Sequence, residues 1–208
     1  MRAAGAAATL GALGAGALAA AATIDGLDVT KQRGLYSLEA NARLDARPES
    51  IYAVLTDFDD NAYSRISRAY KESRYLDPAD DGTPLVYTRM EGCMLWHCVT
   101  LERTERLETE APRWIKSTAL PEGSNFKHAT SEWVLEPDGD GTMMTYKLEM
   151  EPDFFVPPVI GPWYLKRTLS QGGQRAVTRI ERLARERDGR PVEPLPPPSP
   201  SSSHSRSK

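Results

Sequence analysis

Apolar side chains return at every second position through Leu38, Ala40, Ala42, Leu44 and Ala46, with Glu39, Asn41, Arg43 and Asp45 between them. A period of two with one apolar side predicts a half-buried β-strand. Pro48-Glu49-Ser50 then opens a helix, since proline suits a first turn and an acid there complements the helix dipole. Ile51, Val54, Leu55 and Phe58 form its buried stripe, and Asp59-Asp60-Asn61 can cap a second short helix over 62–66. From Arg68 onward the period returns to two, with strands predicted over 70–76, 85–91, 99–107, 114–120 and 131–135. Pro137-Asp138-Gly139-Asp140-Gly141 reads as a hairpin turn, after which Met144, Tyr146, Leu148 and Met150 alternate with polar residues. After an irregular stretch over 152–162, a long helix is predicted over 163–187. Leu165, Leu169, Ala176, Val177, Ile180, Leu183 and Ala184 fall on one stripe of it. A meandering sheet with one polar face must bury the other, and the last helix is the only element long enough to cover it. The fold class is therefore α+β.

Composition narrows the picture. The 208 residues are 40% hydrophobic and 26% charged, which excludes collagen, wholesale disorder and a multi-span membrane protein. A net charge of −3 argues against nucleic acid as a partner, because phosphate neutralisation needs a basic excess. Met1-Arg2 followed by an Ala/Gly/Leu run that ends in Ala19-Ala20-Ala21-Ala22 has the order of a secretory signal over 1–22. That order implies a periplasmic or secreted protein; the alternative is an Ala-rich extension on a cytoplasmic one. The run has few leucines, so it would make a poor permanent anchor. The Pro/Ser-rich stretch within 188–208 cannot bury enough apolar surface to offset ordering entropy and reads as a disordered tail. The folded unit is then 34–187.

The element order, together with the run Ala46-Arg47-Pro48-Glu49-Ser50-Ile51-Tyr52-Ala53-Val54-Leu55-Thr56-Asp57-Phe58 after the first strand, resembles the START/SRPBCC superfamily. The likeness is closest to the branch of polyketide cyclase/dehydrase-like and coenzyme Q-binding START proteins. Val156-Pro157-Pro158-Val159-Ile160-Gly161-Pro162-Trp163, leading into the last helix, supports it, and the resemblance covers about 35–184. It implies a helix-grip fold: a curved antiparallel β-sheet wrapped around a long C-terminal α-helix, with two short helices after the first strand. It also implies a cavity between sheet and helix for an apolar ligand. One such fold hosts carriers, cyclases and toxin-like proteins, so function must come from the site.

Candidate chemistry is sparse. His97, His128 and His204 are the only histidines, and no nucleophile elbow, phosphate-binding loop or His-Glu-x-x-His motif occurs. Asp and Glu fall mostly in turns or on the polar side of strands, where solvation accounts for them. No catalytic residue, cofactor or metal is assigned. The stretch 85–107 is too long for one ordinary strand and should bend, with Gly92 the obvious place. If the bend is a hairpin, Cys93 and Cys98 flank its tip and an exported protein could oxidise them. If the strand runs straight, they point to opposite faces about 16 Å apart and no bond forms. Metal binding through Cys93, His97 and Cys98 lacks a fourth ligand and fits no zinc spacing.

Met94, Leu95 and Trp96 make that tip apolar, and Phe154 and Phe155 form a second apolar cluster at the mouth of the last helix. Both either cap the core or touch a membrane surface or partner. Tyr87, Trp114, Trp133, Met144, Tyr146 and Met150 on strands, with Leu169, Gly172, Gly173 and Ala176 on the helix, are the candidate cavity lining. Glycine inside a helix costs ~1 kcal/mol against alanine, so the Gly172-Gly173 pair marks either a close approach to a ligand, a kink, or a tolerated weak point.

The leading expectation is non-enzymatic binding or transport of an apolar molecule, such as a lipid or polyprenyl-quinone-like compound. Burial of its hydrocarbon at ~25 cal/mol per Å² would drive binding. The alternatives are a cyclase or dehydratase that positions substrate with Tyr87, Arg89 and Tyr146, and a toxin-like protein-interaction module that uses the hairpin tip.

Overall fold

The computed structural model describes residues 22–94, 97–153 and 161–192. Eight antiparallel strands form one curved sheet: β1 (Thr23–Gln32), β2 (Leu35–Leu44), β3 (Tyr70–Leu76), β4 (Leu85–Met94), β5 (His97–Glu110), β6 (Trp114–Ala119), β7 (Phe126–Asp138) and β8 (Gly141–Pro152). Their spatial order is β1-β2-β8-β7-β6-β5-β4-β3. Between β2 and β3 lie α1 (Pro48–Leu55), a 3-10 turn at Asp59–Asn61 and α2 (Tyr63–Ile66), and α3 (Gly161–Arg187) is the last element among the described residues. This is the helix-grip arrangement.

Local chemistry explains most boundaries. Pro48 occupies the first turn of α1 with Glu49 beside it. The β7–β8 hairpin turns on Gly139 and Asp140, with Asp138 opposite Gly141. Gly141 has to be glycine, because a Cβ there would stand 2.5 Å from the Leu44 carbonyl oxygen. The β1–β2 hairpin turns on Arg33 and Gly34, both at positive φ, the two-residue geometry whose twist matches antiparallel strands.

Three expectations need correcting. β1 lies ahead of the expected start of the folded unit at 34. A register shift between Ile24 and Gly26 breaks its alternation, which hides the strand from a period-two reading. The 85–107 stretch does form a hairpin, but β4 continues through Gly92 to Met94, which pairs with His97 of β5, so the strands do not turn at the glycine. Asp59-Asp60-Asn61 does not cap α2 through a side chain; Asn61 Oδ1 instead accepts the Ser73 amide at 3.1 Å and ties the segment to β3.

The main core joins the inward sheet face to the helices through Leu44, Ile51, Leu55, Leu135, Met144 and Ile180, with Val177 and Ala184 following from the predicted stripe. The described part of α3 packs on α1, α2, β1 and β2. Its C-terminal end is fastened to the start of α1. The Asp188 carboxylate, with only 1% of its side chain exposed, accepts from Arg47 Nε at 3.1 Å, Arg47 Nη2 at 2.8 Å and Ser50 Oγ. Residue 188 therefore belongs to the fold and not to the tail. Residues 1–21 of the signal-like run 1–22, and residues 193–208 of the tail expected over 188–208, lie outside the described residues.

Candidate functional site

On β5 the inward positions run Leu101, Arg103, Glu105 and Leu107, which places two charged residues in the apolar phase of the strand. Arg103 Nη1 stands 3.6 Å from Glu105 Oε1, with their side chains 12% and 4% exposed. Ser117 Oγ donates to Glu105 Oε1 at 2.7 Å and shares a 2.8 Å hydrogen bond with Ser131 Oγ, its register partner across β6–β7. A carboxylate withdrawn from water needs such partners, because an isolated buried charge costs several kcal/mol.

Aromatic rings surround this network. Trp133 and Tyr146, opposite each other in the β7–β8 register, stack with centroids 4.0 Å apart. Phe58, after α1, and Tyr63, the first residue of α2, stack at 4.4 Å, and Tyr63 meets the Tyr70 ring edge-on at 5.1 Å. Tyr63 O–H donates to the Leu55 carbonyl at 2.5 Å, which fixes the ring as a roof. These groups, with Thr88, Leu107 and Ile115, enclose a cavity of about 40 Å³. That space suits one or two waters or a small polar head.

The electrostatics are those of a donor site. Burial pushes the Tyr63, Tyr70 and Tyr146 hydroxyls above the ordinary tyrosine range, so all three stay protonated at neutral pH. Burial works against the Arg103 charge, but Glu105 and the surrounding tyrosine oxygens outweigh it and hold the guanidinium above its usual value. Among the described residues, two buried polar atoms of the lining have no hydrogen-bond partner, Arg103 Nε and Thr88 Oγ1. They belong to directly opposed residues in the β4–β5 register. Among the described residues, no three His, Cys, Asp or Glu side chains converge to hold a metal ion.

Of the sequence candidates, Trp133 and Tyr146 line this cavity. Met144 lies in the main core, and Met150 packs beside a second apolar cluster of Ala119, Phe126 and Ala129. Tyr87 and Trp114 do not face the cavity. Val86 and Thr88, and likewise Ile115 and Ser117, take the inward positions, so strand alternation turns Tyr87 and Trp114 outward. The Arg74 guanidinium sits 4.3 Å over the Tyr87 ring, and Trp114 Nε1 donates to Glu132 Oε1 at 2.6 Å. Arg89 is also outward, paired with Glu72 at 3.4 Å.

The helix candidates also move. Gly172 is exposed, with open space where a side chain would be, and a Cβ on Gly173 would stand 3.3 Å from Ile24 Cδ1. The close approach at Gly173 is thus to β1 and not to a ligand. Ala176 packs against the main core. Leu95, Trp96, Phe154 and Phe155, and the side chains of Met94 and Leu169, lie outside the described residues. Cys98 is disulfide-bonded, and the register sets Cys93, the chain's other cysteine, directly opposite it. Sequence reasoning missed Arg103, Glu105, Ser117, Ser131, Thr88 and Tyr70. The signal was there: Arg103 and Glu105 are in phase with Leu101 and Leu107, and Ser117 with Ile115 and Ala119.

With this geometry in hand, a family profile described as "Polyketide cyclase / dehydrase and lipid transport" matches residues 36–185. The chain belongs to this family. Solved structures share the fold of this polyketide cyclase/dehydrase and lipid transport chain. A START superfamily protein from Mycobacterium smegmatis is 20% identical, with 71% of this chain and 98% of that one covered at a TM-score of 0.56. The Zhui aromatase/cyclase from Streptomyces sp. R1128 is 14% identical, with 74% and 96% covered at 0.55. Human STARD10 is 10% identical, with 79% and 75% covered at 0.57. No curated protein matches the chain by sequence. At these identities the likeness establishes the fold of this family member, and its chemistry rests on its own residues.

Proposed function

We propose that this protein binds an amphiphilic small molecule whose oxygen-bearing head enters the cavity and whose apolar body lies along the inner face of the sheet. The observation that carries the reading is the pair of unpartnered polar atoms, Arg103 Nε and Thr88 Oγ1, facing one small void. A buried donor without a partner costs about 1–3 kcal/mol, and an acceptor oxygen on the ligand removes that cost. Beyond the ion pair the inward face turns apolar through Leu101, Ala119, Ala129, Phe126 and Met150, a surface for hydrocarbon. A cavity of about 40 Å³ takes a head group and not a whole lipid, so the body has to extend past it.

A second reading, an enzyme of cyclase or dehydratase type, draws support from the same guanidinium, since an unused N–H aimed at a carbonyl oxygen can stabilise a developing oxyanion. Binding is preferred because the carboxylate among the described lining residues, Glu105, is occupied by Ser117 and Arg103. The test is extraction of the purified protein into organic solvent, followed by mass spectrometry. The wild type should release an amphiphile with an oxygen head. Thr88→Val, which keeps volume and removes one hydrogen bond worth about 1 kcal/mol, should retain roughly fivefold less. Equal amounts from both would remove the head group from this cavity.

A further inference from the structure

Glu181 on α3 and the alanine run ahead of β1 serve neither the cavity nor the ligand reading. The Glu181 residue is 7% exposed, and its carboxylate accepts the Asp45 amide at 2.9 Å and the Ala22 amide. Arg185, whose charge acts on it through space, is itself paired with Asp45 at 3.1 Å. Two turns earlier on the helix, Gln174 grips the same stretch of chain. Its Nε2 donates to the Ala22 carbonyl at 2.6 Å, and its Oε1 accepts the Ile24 amide at 3.1 Å. Ala22 is only 2% exposed. Two side chains of α3 thus hold the Ala22 N–H and C=O and the Ile24 N–H where β1 begins, the first of them through a buried carboxylate. A carboxylate in that setting is satisfied best by a cation, and its Ala22 partner is a backbone nitrogen.

Immediately before that nitrogen stands Ala19-Ala20-Ala21, small residues at the positions a secretory peptidase requires, after a basic start and an apolar run. We propose that a signal peptidase cuts the Ala21–Ala22 bond and that the new Ala22 ammonium seats on the Glu181 carboxylate, locking the mature N-terminus to α3. Water adds across the peptide bond: Ala21 leaves as a carboxylate, and Ala22 keeps the nitrogen as an ammonium. The cut is made on the extended chain during export, so burial of Ala22 after folding is no obstacle. In the processed protein the existing Ala22–Glu181 hydrogen bond gains a full charge. The inference is independent of what the cavity binds.

The test expresses the full chain with its own N-terminus in a bacterial host that exports through the general secretory route, then reads the product by N-terminal sequencing and intact mass. The expected product starts at Ala22; one that keeps Met1, or starts at any other residue, overturns the cleavage site. The seat is tested by comparing Glu181→Gln in the exported, processed protein and in the full-length chain made in a cell-free system without membranes. The substitution should lower the melting midpoint about 2–4 °C more in the processed protein than in the full-length chain. An equal drop in both overturns the seat.

Discussion

Removing Arg103 tests the account of the site most sharply, because the cost is set by what is left behind. In Arg103→Met the Glu105 carboxylate, 4% exposed at its side chain, keeps only the Ser117 hydroxyl. Breaking a buried pair from one side typically costs about 3–5 kcal/mol, because an uncompensated charge stays in a dry place. For a chain of this size each kcal/mol moves the melting midpoint about 2–4 °C, so a drop of roughly 6–20 °C is expected. Arg103→Met combined with Glu105→Leu removes both charges, leaves Ser117 bonded to Ser131, and should return to within about 1 kcal/mol of the wild type. Urea unfolding of the wild type, both single variants and the double variant gives the coupling energy directly. If Arg103→Met costs less than about 1 kcal/mol, or the double variant loses the sum of the singles, the pair is solvated and the interior assigned to it is wrong.

Two further outcomes follow from the fastening of the chain. Burial alone would raise Asp188, but hydrogen bonds from Arg47 and Ser50 more than reverse this and hold it below the usual carboxylate value. Its contribution is therefore complete above the unfolded value near pH ~3.9 and is lost as pH falls through the folded one. Asp188→Asn should lower stability at pH 7 and flatten the acid limb of a stability–pH profile; identical slopes for variant and wild type would refute this. Gly141→Ala pushes a methyl against the Leu44 carbonyl oxygen, backbone that cannot rotate away. It should cost about 1–3 kcal/mol by chemical denaturation, and an unchanged midpoint would show that β2 and β8 are looser than described.

The architecture could be read from the chain because its alternations are long. Leu38 to Leu44 and Met144 to Met150 keep one parity, and those strands pair in register across β2 and β8. β1 escaped because its bulge at Ile24–Gly26 and its edge position leave Leu27 and Val29 only half-buried. The site was harder, for a different reason. Large aromatics on strands suggest cavity lining, yet Tyr87 and Trp114 fall in the outward phase, while the decisive inward positions carry Arg103, Glu105, Ser117 and Ser131. Charged and hydroxyl residues on strands usually face water, and only their phase against Leu101, Leu107 and Ile115 marks these as interior. Gly173 shows the same limit, since nothing in the chain says whether a helix glycine makes room for a ligand or for Ile24 of a neighbouring strand.

The most direct measurement of the central claim is the quantity of amphiphile that leaves the purified protein on solvent extraction, per mole of chain. The wild type is compared with the folded Arg103→Met/Glu105→Leu protein. The account predicts a near-stoichiometric release from the wild type and a loss of most of it from the double variant. Equal release from both, or none from the wild type, would contradict a head group held by Arg103.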